Sequence, residues 1–289
     1  MRVPLPALIE LARPAQWVKN GFVLLPVIFA HALFDASALA GACIAFAAFC
    51  LAASAVYAGN DVADVKRDRQ HPDKCSRPVA RGAVSPRQAL LFAALLAVAA
   101  LAIGSIVSVA LMAVVAIYLL LQVGYTLGLK YFAYVDAAVV ALGFVLRIVA
   151  GGIGASVPLT PWIVVMGFLL AMLLALGKRH GDLVHATQAS ARAAKAYSQR
   201  SLEWALTGIA GATFAAYLFY TISPEVLARH GHHPLFFTSP WVALGLLRYL
   251  WLALGKGAGG DPSSLALRDR VLLLAVVGWL ATLAVILYH

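Results

Sequence analysis

Apolar runs about as long as a bilayer is thick recur from one end of this chain to the other, and nothing between them is long enough to enclose an aqueous core. They fall at residues 21–34 (extending back toward Trp17), 38–58, 86–104, 107–127, 134–152, 161–177, 202–222, 238–254 and 271–288. Most are near the ~20 residues a helix needs to cross ~30 Å of hydrocarbon. Each run is continuous. A membrane barrel needs shorter alternating segments, and in lipid a single apolar segment satisfies its own backbone only as a helix. The expectation is an all-α, polytopic membrane protein of nine transmembrane helices forming a single transmembrane domain over residues 1–289. Composition agrees, since 63% hydrophobic residues, 12% charged residues and a mean hydropathy of +0.88 lie far from those of a soluble domain.

The charges that remain are sorted by side. If the spans alternate, 19 of the 22 Lys and Arg residues fall in connections on one face, Arg229 alone falls on the other, and Arg147 and Arg248 lie inside spans. The positive-inside rule then puts the N-terminus in the cytoplasm and the C-terminus on the far side, and the expected location is the inner (cytoplasmic) membrane. The net charge of +10 is accounted for by topology and by phosphate-rich ligands or lipids, with no nucleic acid implied. Cys43 and Cys50 fall in a span and Cys75 in a loop, which gives no disulfide or metal spacing.

One stretch breaks the apolar pattern. "YAGNDVADVKRDRQHPDKCSRP", Tyr57 to Pro78, places Asp61, Asp64 and Asp68 among Lys66, Arg67 and Arg69 at the cytoplasmic end of the second span. If the helix continues to Asp68, the three carboxylates share an arc of about 60°. Such a face repels itself unless a cation neutralises it, and a hard, oxygen-preferring ion such as Mg²⁺ suits it, with Asn60 adding an amide oxygen. Taken alone the run also reads as a solvated loop whose acids pair with their basic neighbours.

The pattern Asn-Asp-x-x-Asp-x-x-x-Asp followed by Asp-Arg-x-His-Pro-x-Lys-x-x-Arg-Pro resembles the first aspartate-rich motif of the UbiA-type superfamily of intramembrane prenyltransferases. That resemblance implies nine helices, a cytoplasmic-side catalytic cavity with a lateral opening for a polyprenyl chain, and an Mg²⁺-bound diphosphate. Four further stretches are similar to the polyprenyl-phosphate (decaprenyl-phosphate) phosphoribosyltransferase branch. They are "RPAQWVKN" (Arg13 to Asn20), "YTLGLKYFAYVDAAVVALGFVLRIVAGG" (Tyr125 to Gly152), "LALGKRHGDL" (Leu174 to Leu183) and "GAGGDPSSLALRDRVLL" (Gly257 to Leu273). The chain departs from the branch pattern at Thr126, Asp182 and Cys75, where Ser, Glu and a basic residue are usual.

The resemblance implies an Mg²⁺-dependent pentosyltransferase that moves 5-phosphoribosyl from phosphoribosyl diphosphate to a polyprenyl phosphate, making a precursor of lipid-linked arabinose. It implies metal ligation by Asn60, Asp61, Asp64 and Asp68, and catalytic roles for Asp61, Asp64, Lys130, Asp136 and Arg147. Substrate contacts are expected from Gln16, Trp17, Lys19, Asn60, Lys66, Arg67, Lys74, Arg77, Tyr125, Lys178, Arg179 and Asp182. A homo-oligomer is left open. Residues 178–200 hold one acid, Asp182, against Lys178, Arg179, Arg192, Lys195 and Arg200. That argues against a second metal cluster and for a phosphate contact.

Asp136 and Arg147 lie in or at the edge of a span, where ionised groups face a cavity or a partner; they share a helix face eleven residues apart, too far for an ion pair. "HGHH", His230 to His233, reads as a solvated turn, and Asp269 either borders a cavity or caps the last helix. Two other functions stay open: an aromatic prenyltransferase using a prenyl diphosphate, disfavoured by the acid-poor second loop, and a transporter, disfavoured because the polar constellation sits at one membrane face.

Overall fold

The computed structural model describes residues 4–30, 32–184, 197–229, 235–255 and 269–288. His230 to His233, Arg192, Lys195 and most of the Gly257 to Leu273 stretch lie outside the described residues. All regular structure among the described residues is helical. The helices are α1 (Leu5–Ala12), α2 (Leu25–Phe29), α3 (Ala36–Ala63), α4 (Val65–Asp68), α5 (Pro86–Val107), α6 (Val109–Leu127), α7 (Val135–Ala155), α8 (Pro161–Val184), α9 (Gln199–Ile222), α10 (Pro224–Arg229), α11 (Ser239–Gly255) and α12 (Arg270–Tyr288), with 3-10 segments at Pro14–Leu24, Leu129–Tyr131 and Leu235–Thr238.

Local sequence sets where the helices start. Asp35 accepts from the Ser37 and Ala38 amides to cap α3, and Ser85 with Gln88 closes a capping box behind Pro86 at the start of α5. Ser108 breaks the apolar run between α5 and α6 by turning extended and capping Leu111. Among the described residues seven helices are long and apolar enough to cross a membrane, and Arg270–Ile286 is a shorter apolar helix.

The first of the nine expected spans is built differently. Its residues form the 3-10 segment Pro14–Leu24 and the five-residue α2 instead of one long α-helix. Pro14 and Pro26 supply the reason: each lacks an amide donor and is tolerated only in the first turn of the helical piece it opens.

By packing, the chain divides into two compact units, Met1–Thr160 and Pro161–His289. In the first, α3 is central and contacts α1, the Pro14–Leu24 segment, α5, α6 and α7. Phe49, Ala45, Ala48 and Ala52 of α3 are fully buried against Leu111, Val115 and Tyr118 of α6 and Ala150 of α7. Alanine on α3 and glycine on α7 let these backbones approach closely. A Cβ on Gly41 would stand 1.9 Å from the Gly154 carbonyl oxygen, and one on Gly151 would stand 1.9 Å from that of Val23. On α5, by contrast, Leu90, Leu91, Leu95 and Val98 are exposed, as a lipid-facing stripe requires. In the second unit α8 packs on α9, and α11 on α12. There the Trp279 indole donates to the Tyr217 hydroxyl at 2.6 Å, which pairs with Thr238, also at 2.6 Å.

Candidate active site

Three carboxylates meet three cationic side chains from distant parts of the chain at the end of α3. The helix does not run unbroken to Asp68. It stops at Ala63, Asp64 takes φ −98° and ψ 5°, and α4 begins a new turn. The break divides the expected single face. Asp61 and Asp68 are both buried and share Arg77, whose Nη1 lies 2.6 Å from Asp68 Oδ2 and 3.4 Å from Asp61 Oδ1. Asp64 turns instead to Lys130, with Nζ at 3.1 Å, and to Arg67 at 3.6 Å. Lys130 is buried and reaches this place from the 3-10 turn after α6. Arg67, exposed on α4, has its pKa raised above the ordinary value mainly by its hydrogen bond to Tyr131.

Arg13, which is not among the expected site residues, completes the cluster. Its Nη2 donates to Asp61 Oδ1, and its guanidinium lies 5.1 Å from the centre of the Tyr57 ring. Burial lowers its pKa, with the Asp61 charge opposing that shift. The signal was present in "RPAQWVKN", where Gln16, Trp17 and Lys19 drew attention and Arg13 read as a topology charge. Thr126, where the branch carries Ser, keeps the hydroxyl: it bonds Asn60 Oδ1 and the Gln122 carbonyl at 2.9 Å.

The N-terminal segment lies along α3 through a ladder of polar contacts. Ser54 Oγ donates to the Ala12 carbonyl at 2.7 Å and accepts from Trp17 Nε1 at 3.0 Å. One turn deeper, Asn20 Nδ2 lies 3.3 Å from Cys50 Sγ. Cys50, Ser54, Tyr57 and Asp61 repeat at steps of four, three and four, so one helical face carries the ladder.

The ladder ends at Arg147. This buried side chain donates from Nε to Asn20 Oδ1 at 2.7 Å, from Nη1 to the Gly143 carbonyl at 2.8 Å and from Nη2 to the Tyr118 hydroxyl at 3.1 Å. The rings of Tyr118, Phe144 and Phe49 stand 4.9, 5.4 and 5.7 Å from its guanidinium carbon. Among the described residues no carboxylate forms an ion pair with it. Asp136 is buried in the first turn of α7, where its Oδ1 accepts from the Ala137 amide at 2.7 Å.

Lys66 is exposed on α4, while Lys74, Lys19, Gln16 and Tyr125 are half-buried. Lys178, Arg179 and Asp182 belong to the last turns of α8 in the second unit, where Arg179 Nη1 lies 3.5 Å from Asp182 Oδ2. Between them His180 is fully buried, with its Nε2 3.6 Å from Glu203 Oε1. Asp269 caps α12 through the Val271 and Leu272 amides. Its hydrogen bonds to Arg248 are the main reason its pKa is lowered to about 2.

Fold and site together define a polytopic helical membrane protein that gathers carboxylates, guanidinium groups and an ammonium at one end of a long helix, the chemistry of a polyanion site. The chain belongs to the UbiA prenyltransferase family, whose model matches residues 23–267. It is 33% identical to the decaprenyl-phosphate phosphoribosyltransferase of Mycolicibacterium smegmatis, over 97% of this chain and 92% of the relative. It is 34% identical to that of Mycobacterium tuberculosis H37Rv, over 95% of this chain and 92% of the relative. Among solved structures it is similar to a UbiA homologue from Archaeoglobus fulgidus bound to DMAPP and Mg²⁺, with a TM-score of 0.71, 17% identity and coverage of 96% of this chain and 99% of that one.

A divalent cation implied by that fold can be tested against the residues present. The donors are oxygens throughout, and Asp61 Oδ2 is buried with no hydrogen-bond partner. No three acidic, His or Cys side chains converge on one point among the described residues. The expected joint ligation by Asp61, Asp64 and Asp68 is therefore not formed here, and the fit rests on Asp61 Oδ2, since Mg²⁺ binds through one or two carboxylates and completes its shell with water and substrate phosphate.

Proposed function

We propose that this protein transfers the 5-phosphoribosyl group from phosphoribosyl diphosphate to a polyprenyl phosphate, releasing diphosphate and leaving polyprenyl-phosphoryl-ribose 5-phosphate, a precursor of lipid-linked arabinose. The observation that carries the reading is the mixed cluster: oxygen donors for a cation interleaved with Arg13, Arg77, Arg67 and Lys130, cations able to hold a substrate with several phosphates. The identity to decaprenyl-phosphate phosphoribosyltransferases over nearly the whole chain supports this branch of the family.

Mg²⁺ would be held by Asp61 with one further carboxylate of the cluster and the Asn60 amide oxygen, water and substrate phosphate completing its shell, and would act as a Lewis acid on the leaving diphosphate. Arg77 and Lys130 are placed to neutralise charge that grows on the diphosphate as the ribose C1–O bond breaks. The resemblance gives Lys178 and Arg179, on α8 of the second unit, a phosphate-binding role, and a guanidinium beside an ammonium suits that chemistry. A phosphate oxygen of the acceptor forms the new bond to C1. It is already anionic near neutral pH, so no side chain has to remove a proton, and positioning supplies the remaining acceleration. The cluster faces the cytoplasm, where phosphoribosyl diphosphate is soluble, and the isoprenoid lies in the bilayer.

The test is direct. Purified protein receives Mg²⁺, labelled phosphoribosyl diphosphate and polyprenyl phosphate, and label is sought in the organic phase. Label is expected there, absent with EDTA or in Asp64→Ala and restored to the wild type by Mg²⁺ in excess of EDTA. Transfer of a prenyl group to an aromatic acid, with no ribosyl transfer, would replace this reading with the aromatic prenyltransferase.

A further inference from the structure

The Asp61 carboxylate is asymmetric in a way that assigns its two oxygens different tasks. Oδ1 takes both guanidinium contacts, from Arg13 and from Arg77 at 3.4 Å. Oδ2 is equally enclosed and has no hydrogen-bond partner. A buried carboxylate oxygen left without a donor is costly, and a site that keeps one holds a place for something else.

Arg13 is itself held in position. Its backbone occupies the left-handed region at φ 52° and ψ 60°, which is uncommon for a residue with a side chain. The surroundings hold it there from both sides. The Ala12 carbonyl before it accepts from Ser54, and Trp17 after it donates to the same hydroxyl. Glu10 ties α1 to the loop after α4 through Arg81 at 2.8 and 2.7 Å. The Tyr57 ring lies beneath the guanidinium. Several independent contacts thus aim one fork at one oxygen.

We infer that Arg13 is a positioning residue for the cation site: by holding Asp61 Oδ1 it fixes the rotation of the carboxylate and presents Oδ2 to the divalent cation. This inference rests on the metal reading given above and adds a residue and a specific ligand atom to it. An outer partner of this kind orients a ligand, and its loss typically weakens metal binding 10- to 100-fold. For the bare cation, electrostatics alone gives the opposite sign, because removing a positive charge beside a cation site should tighten it. The direction of the change therefore decides the matter.

The experiment uses the full-length protein in detergent with Mn²⁺ as the probe, bound Mn²⁺ being read by electron paramagnetic resonance both without diphosphate and with inorganic diphosphate. Loss of a direct Arg13 contact to diphosphate, which weakens binding only in its presence, is thereby separated from loss of Asp61 orientation. Arg13→Gln is expected to weaken Mn²⁺ binding about 10- to 100-fold. Arg13→Lys, which keeps the charge but not the fork, should fall between Gln and wild type. Thermal unfolding without metal identifies any variant that fails to fold, and Arg13→Lys carries the test if Arg13→Gln does. In an Asp61→Asn background the Arg13 substitution should add no further loss, since the carboxylate it orients has gone. With excess Mg²⁺ the turnover of Arg13→Lys should return toward wild type. Unchanged or tighter Mn²⁺ binding in folded Arg13 variants would overturn the inference while leaving the metal reading in place. Wild-type protein that binds no Mn²⁺ with diphosphate would overturn the metal reading itself, and this inference with it.

Discussion

Lys130 and Arg147 are both buried cations of the first unit, and their partners give them different work. Lys130 spends its charge on Asp64, 3.1 Å away at the cluster. Lys130→Ala should remove the charge-assisted contact this ammonium makes to the substrate diphosphate in the proposed reaction, worth about 1.5–3 kcal/mol and so roughly ten- to over a hundredfold in kcat/KM. It should lower the melting temperature as well through the lost Asp64 pair. Arg147 instead joins Asn20, Gly143 and Tyr118, three groups on three separate pieces of chain. Arg147→Met strands the Asn20 carbonyl and the Tyr118 hydroxyl in an apolar interior, at about 1–3 kcal/mol for each unsatisfied group. Its expected signature is a lower melting temperature and poor yield, with the molecules that do fold retaining turnover. Kinetics beside thermal unfolding in detergent separates the two cases. A stable Arg147→Met without activity would place Arg147 in the chemistry, as the resemblance alone implies.

At the scale of elements, helix existence was legible because a twenty-residue apolar run has one low-energy backbone in lipid. Helix endings were less so. The stop at Ala63 follows from tertiary pairing: Asp64 faces Lys130, while Asp61 and Asp68 share Arg77, and no periodicity in the sequence encodes those long-range partners. Glycines show the same division. Gly59 reads as a point of weakness in α3, yet the helix runs through it, and a Cβ there would meet nothing within 4 Å. Gly41 lies in a plainer stretch but touches the Gly154 backbone. Gly41→Ala should therefore force α3 and α7 apart, costing about 1–3 kcal/mol as overpacking does. Gly59→Ala should be neutral or stabilising by up to about 1 kcal/mol, since alanine is the better helix former. Equal melting temperatures for the two variants would contradict this account of the α3–α7 contact.

For the whole molecule, membrane embedding and the acidic half of the site could be read from the chain, because hydropathy and a dense run of aspartates are local signals. The cations that neutralise those aspartates were only partly legible, since Arg13 and Lys130 arrive from positions far along the chain. Sidedness rests on the charge asymmetry, with 19 of 22 basic residues assigned to one face, and the protein carries its own reporter for it. Cys75 is exposed in the loop between α4 and α5, whereas Cys50 is buried and Cys43 lies within the span Ala36–Ala63. The cysteine thiolate is the nucleophile that attacks maleimide, and it forms in water and is suppressed in hydrocarbon. A membrane-impermeant maleimide should therefore leave the protein unlabelled in intact cells and label it in inverted vesicles, and Cys75→Ser should abolish that labelling. Labelling of Cys75 from outside intact cells would reverse the topology. It would also place the aspartate cluster on the face of the membrane where phosphoribosyl diphosphate is not made, so the proposed donor would have to be given up along with the orientation.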